Sequence, residues 1–145
     1  MELSSSPSLT AVIDAGTNTF RLLIGFVEDG RVIRIFNKRI PTRLGKDLIK
    51  TGRISNESAA NSIGALLDFK QICDEFRVEK IAALGTSALR EAENGVNFSE
   101  TAKNKTGIAI KIISGIEEAE LTLSGVVSSL KTDKAYLSVL DIGGG

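Results

Sequence analysis

Two short stretches carry residues that could do chemistry together. Asp14-Ala15-Gly16-Thr17-Asn18-Thr19 lies near the start, and Asp141-Ile142-Gly143-Gly144-Gly145 closes the chain. An apolar run precedes each Asp, at residues 9–13 and 137–140. Such a run reads as a buried strand. The small residues beyond it let the backbone turn sharply and face its N–H groups outward, and such nests bind anions, phosphate above all. An Asp at the strand end can hold a divalent cation, directly or through water. Two such loops facing each other would hold a phosphate chain from both sides.

Two further residues suit the same chemistry. Arg90 follows the Gly85-Thr86-Ser87 turn, and its planar fork matches phosphate oxygens. Glu118 follows Ser114-Gly115-Ile116-Glu117, which has capping-box spacing. Ser114 would be the N-cap and Glu117 would fold back on its N–H. Glu118 points about 100° further round the helix and is free for other work. Each residue also has a plainer reading. Glu118 can be one of two acids favoured by the helix dipole, and Arg90 a surface arginine. Thr17, Asn18 and Thr19 either donate to phosphate or shape the turn. Arg43 and Lys46 belong to a basic path for a polyanion or to a solvated loop.

The composition removes other chemistries. There is no histidine, so this chain holds no Ser-His-Asp triad, Cys-His pair or His-based zinc site. Proton transfer falls to carboxylates, Lys, Tyr or water. Basic and acidic residues both total 18, for zero formal charge, which argues against a general nucleic-acid binder. No apolar run reaches the ~18 residues of a membrane span. The start lacks the basic and apolar regions of a signal peptide. Cys73 is the sole cysteine, which excludes an internal disulfide and fits a reducing compartment. A cytoplasmic location is expected.

These residues need elements to place them. Residues 1–8 read as a disordered lead-in. Strands are predicted at 9–13, 20–28 and 32–40, with Asp29-Gly30 as a hairpin turn and Pro41 as a stop. Residues 42–52 read as a loop. Ser55 is the expected N-cap of a helix whose apolar stripe is Ile63, Leu66, Leu67, Cys73 and Phe76. Cys73 reads as a small buried hydrophobe. A fourth strand follows at 80–84, then a helical turn at 88–93. The next helix is capped by Asn94 or Asn97 and stops at Gly107. A fifth strand at 108–113 leads into a helix from Ser114 to about residue 130. A last strand spans 135–141.

Four motifs taken together are similar to the Ppx/GppA phosphatases, which are exopolyphosphatases and guanosine pentaphosphate phosphohydrolases. They are Asp14-Ala15-Gly16-Thr17-Asn18-Thr19-Phe20, Gly85-Thr86-Ser87-Ala88-Leu89-Arg90-Glu91-Ala92, Ile113-Ser114-Gly115-Ile116-Glu117-Glu118-Ala119 and Asp141-Ile142-Gly143-Gly144-Gly145. The resemblance covers the chain from Leu9 onward. It implies an α/β, actin-like ATPase (ribonuclease H-like) domain with a mixed five-stranded sheet in βββαβαβα order. Residues 9–134 would form this first domain, and residues 135–145 the opening strand and phosphate loop of a second. The chain would then be part of a longer protein, with polyphosphate or guanosine pentaphosphate as substrate. It implies Glu118 as the base, with Gly16, Thr17, Asn18, Thr19, Arg90, Gly143, Gly144 and Gly145 on phosphate. Asp14 and Asp141 would serve Mg2+. The complete protein could form a homodimer. Runner-up readings are a kinase or ATPase of the same fold and a non-catalytic guanosine tetraphosphate sensor.

Overall fold

The computed structural model describes residues 7–129 and Val139. Residues 1–6 of the predicted lead-in, and all but Val139 of the predicted last strand with its glycine loop, lie outside the described residues. The described sheet has five strands in the order β3-β2-β1-β4-β5. β1 (Thr10–Ala15), β2 (Thr19–Glu28) and β3 (Arg31–Pro41) form an antiparallel meander. β4 (Lys80–Gly85) runs parallel to β1, and β5 (Ile110–Ile112) parallel to β4. The mixed sheet of the expected architecture is therefore present.

Alternation explains which face is buried. Ala11, Ile13 and Ala15 of β1 and Phe20, Leu22 and Ile24 of β2 point into the core. Successive strand residues face opposite sides, so Val12, Asp14 and Arg21 lie on the other face. Asp29 and Gly30 both have positive φ, 49° and 73°, which is the backbone a two-residue hairpin of this twist requires. Pro41 is the last residue of β3, and β3 is an edge strand. There its missing N–H costs no ladder bond.

Two helices cover the buried face. α2 (Asn56–Glu75) starts at Ser55, whose Oγ accepts the Ser58 N–H at 3.3 Å. Ile63, Leu66, Phe69 and Cys73 of α2 are buried in the core with Phe98 and Ala102 of α4 (Gly95–Thr106). Fully burying a side chain such as Leu66 stabilises by about 1.5–3 kcal/mol. Burial also pushes the Cys73 thiol pKa up, with Asp74 adding to the shift, so the sulfur stays neutral packing material. Gly107, at φ 75°, ends α4 as expected.

The structure corrects four local expectations. Leu67 is 48% exposed and belongs to the outer face of α2. Phe69 takes the core place instead. The 42–52 segment is not all loop: it contains one helical turn, α1 (Leu48–Thr51). Asn94 occupies the cap position of α4 but makes no side-chain cap bond. Its amide instead clamps Ile54, accepting from the N–H at 2.9 Å and donating to the carbonyl at 3.0 Å. β1 extends two residues further than the apolar run, so Asp14 sits inside the strand and Ala15 ends it.

Candidate active site

The β1–β2 turn is built by its neighbours. The Gly45 N–H donates to the Thr17 carbonyl at 2.9 Å, and the N–H groups of Thr42 and Arg43 donate to the Asn18 carbonyl at 3.1 and 3.0 Å. No peptide bond here is cis, and a trans peptide points its N–H opposite its C=O. The amides of Asn18 and Thr19 therefore face away from the 42–45 segment. The N–H groups of Gly16, Thr17 and Asn18 meet no acceptor among the described residues. Consecutive unpaired N–H groups in a turn form an anion nest.

A second turn abuts the first. The Thr17 hydroxyl lies 3.0 Å from the Ser87 hydroxyl, and the Thr86 N–H donates to the Ala15 carbonyl at 3.4 Å. β4 thus delivers α3 (Ser87–Glu91) beside the nest. Arg90 lies in the last turn of α3. Its Nη1 donates to the Ile113 carbonyl at 3.0 Å and to Glu118 Oε2 at 3.1 Å. Both side chains are about one-third exposed, 31% for Arg90 and 32% for Glu118. The two residues singled out from separate motifs are therefore a hydrogen-bonded pair.

The two adjacent glutamates have different duties, as the spacing predicts. α5 (Gly115–Ser129) opens with a reciprocal box. The Ser114 N–H donates to Glu117 Oε2 at 2.9 Å, and the Glu117 N–H donates to Ser114 Oγ at 3.1 Å. Lys111 Nζ donates to Glu117 Oε1 at 2.9 Å. The Ser114 amide first, then Lys111, hold the Glu117 carboxyl down at a pKa of about 2. Glu117 is used up by structure, while Glu118 is aimed at Arg90.

Sequence reasoning passed over Arg21 and Arg39. Asp14 faces Arg21 across the β1–β2 ladder, and Arg21 faces Arg39 across β2–β3. Both arginines are exposed, and neither joins an ion pair among the described residues. Like charges directly opposite destabilise a sheet, and an anion beside the turn would offset that. The signal was legible: alternation against buried Phe20 and Leu22 puts Arg21 on the Asp14 face.

Metal ligands are sparse among the described residues, where no group of three or more His, Cys, Asp or Glu gathers. Mg2+, the ion expected from the resemblance, takes one or two carboxylates and fills its remaining positions with water and substrate oxygens. Asp14, half-buried beside the nest, has the right chemistry. Asp141, Gly143, Gly144 and Gly145 lie outside the described residues. Among the described residues no helix is long and apolar enough to cross a membrane.

The chain resembles known proteins along nearly its whole length. It is 35% identical to exopolyphosphatase 2 of Mycobacterium tuberculosis, over 93% of this chain and 45% of that protein. It is 36% identical to a bifunctional 3-dehydroquinate synthase/phosphatase of Fusobacterium nucleatum, over 94% of this chain and 22% of that protein. The chain thus spans less than half the length of these curated relatives. Its fold matches the Aquifex aeolicus Ppx/GppA family member with a TM-score of 0.80 and 32% identity, covering 86% of this chain and 41% of that one. An exopolyphosphatase from Cytophaga hutchinsonii matches with a TM-score of 0.78 and 36% identity, covering 82% and 38%. The family model for the Ppx/GppA phosphatase family matches residues 23–145. With the nest, the Arg90–Glu118 pair and the actin-like sheet in place, these matches establish that the chain belongs to the Ppx/GppA phosphatase family.

Proposed function

We propose that this chain supplies one wall of a phosphohydrolase site that removes the terminal phosphate of inorganic polyphosphate. The observation that carries this reading is the Arg90–Glu118 bond of 3.1 Å, set beside a turn whose Gly16, Thr17 and Asn18 N–H groups meet no acceptor among the described residues. Phosphoryl transfer demands mainly positioning and charge stabilisation, and these residues supply both. Gly16, Thr17, Asn18 and Thr19 bind terminal phosphate oxygens, and Arg90 offers its remaining guanidinium donors to the same group. Arg90 holds Glu118 by Oε2, which leaves Oε1 for a water. Glu118 takes a proton as that water bonds to the terminal phosphorus and the bridging P–O bond breaks. The products are one inorganic phosphate and a chain one unit shorter. Asp14 and Asp141 would hold Mg2+, which when bound neutralises phosphate charge. Gly143, Gly144 and Gly145 would supply the facing loop. The single buried thiol, Cys73, fits a reducing, cytoplasmic setting.

The test is phosphate release from polyphosphate and from guanosine pentaphosphate by the full-length protein with Mg2+. Release from polyphosphate, abolished by Glu118→Gln, is the expected result. Release from guanosine pentaphosphate alone would replace the substrate. ADP formation with an acceptor, and no free phosphate, would overturn hydrolysis in favour of a kinase.

A further inference from the structure

The 42–46 segment does more than connect β3 to α1. Its amides at Thr42, Arg43 and Gly45 grip the carbonyls of Thr17 and Asn18. The segment is in turn fixed from behind. Leu44 is fully buried and Thr42 is 1% exposed. The Ser58 hydroxyl, in the first turn of α2, donates to the Arg43 carbonyl at 3.0 Å. Arg43 itself holds a φ of 52°, a region that side-chain-bearing residues seldom adopt. Such backbone persists only where its surroundings hold it in place.

Gly45 sits at the tightest point. A Cβ there would lie 2.5 Å from Thr17 Cγ2 and 3.6 Å from Ala88 Cβ. Its φ lies outside the left-handed region, so approach to Thr17, and not backbone conformation, demands glycine. Thr17 also touches Ser87 through its hydroxyl. One residue thus keeps three elements in register: the nest, the start of α3 and the clamp.

We infer that Gly45 is a positioning residue, and that the 42–46 segment is a clamp that aims the nest's N–H groups at phosphate. The inference rests on the phosphate reading of the turn. It assigns the aim of the nest to hydrogen bonds from behind, anchored on α2, and not to the turn sequence alone. A misplacement of about 1 Å at a phosphoryl site can cost 10²-fold in rate.

The experiment uses Gly45→Ala in the full-length protein, alone and with Thr17→Ser. Serine removes Cγ2, the atom in conflict, and keeps the hydroxyl that meets Ser87. Gly45→Ala is expected to lower kcat/KM for polyphosphate by about 10²-fold and to raise the inhibition constant of inorganic phosphate in parallel, in protein whose circular dichroism is unchanged. The double variant should recover toward the level of Thr17→Ser alone. A ligand-free arm measures hydrogen exchange at the Thr42, Arg43 and Gly45 amides, whose protection should fall about tenfold in Gly45→Ala, the worth of one lost hydrogen bond. It should return in the double variant. If the unmodified protein released no phosphate from polyphosphate, the proposed function would fail while this exchange arm still decided the clamp. If Gly45→Ala does not fold, Ser58→Ala loosens the same anchor and must raise exchange at the same amides. Unchanged exchange, or faster exchange with undiminished kcat/KM, overturns the inference, and so does a double variant no better than Gly45→Ala.

Discussion

Helices α2 and α5 begin alike and are held in opposite ways. Each starts at a serine whose Oγ accepts an N–H from its own first turn, Ser55 from Ser58 and Ser114 from Glu117. α2 then buries seven of its residues, including Leu66 and Phe69. α5 buries none against the described residues and leaves Ile116, Leu121, Leu123 and Val127 about half exposed or more. Core packing fixes α2. Among the described residues, what holds α5 is a set of polar bonds at one end: the capping box, the Lys111–Glu117 bond and the Arg90–Glu118 bond. Glu118 lies in that tied first turn. The candidate base is thus placed by hydrogen bonds among the described residues, while its partner Arg90 rides on α3, whose Ala88 and Leu89 are buried in the core, and bonds the carbonyl of buried Ile113. Stability and activity should therefore be separable by mutation.

The sharpest separation is Glu118→Gln in the full-length protein. Turnover on polyphosphate should fall about 10²–10⁴-fold, the usual worth of a general base. Unfolding free energy should move by less than about 1 kcal/mol, because an exposed pair contributes little. Equal losses of turnover for Glu118→Gln and Glu117→Gln would end the distinction between the two acids. Phe69→Ala is the mirror case. Removing a fully buried ring should cost about 3–5 kcal/mol, while protein still folded keeps its turnover. Urea unfolding beside kinetics on the same preparations reads both. Loss of turnover without loss of stability in Phe69→Ala would break the comparison.

Legibility follows the same division. Local, short-range chemistry could be read from the chain: Ser114 with Glu117, Asp29-Gly30, the Ser55 cap and the turn after Asp14 each need only a few consecutive residues. Cys73 as a buried hydrophobe also followed from its stripe. What depends on distant partners could not be read. Asn94 looks like a cap, yet Ile54, forty positions away in sequence, takes its amide. Leu67 and Phe69 compete for the same stripe, and the sheet beneath decides for Phe69. The clamp on Thr17 and Asn18 comes from a segment whose polar sequence suggested only a loop. The sheet topology and the family were legible because four motifs fix it jointly, whereas the pairing of Arg90 with Glu118 required the fold.

Arg90→Lys should have a smaller effect than either change above. Lysine keeps the charge but lacks a fork that can bond the Ile113 carbonyl, Glu118 and a phosphate together. Losing one charge-assisted bond of about 1.5 kcal/mol weakens phosphate binding roughly tenfold. The inhibition constant of inorganic phosphate measures this directly. An unchanged constant, with unchanged turnover, would return Arg90 to the role of a surface charge tying down α5.

The smallest effect is a pH dependence confined to α5. The Ser114 amide and Lys111 hold Glu117 at a pKa near 2, below its ordinary 4.5. A carboxyl whose folded pKa is depressed stabilises the fold above its unfolded value, and that contribution drains away as pH falls through the folded one. The window is therefore pH 4.5 down to about 2. Within it the proton enters Glu117, the Ser114 amide loses its charged acceptor, and the first turn of α5 should fray. The cap of α2 uses serine hydroxyls alone and its buried face holds the helix to the core, so its first turn, although it carries Glu57 in an ion pair with Lys46, should lose less protection over the same range. Amide exchange at Glu117 and Glu118 against Ser58 and Ala59 makes the comparison within one sample. Glu117→Gln should remove the pH dependence, since glutamine can serve the box without titrating. Added salt should weaken the Lys111 share, which is exposed and screened, more than the Ser114 share. Equal fraying of both helices between those pH values would mean that α5 is held by something other than its box.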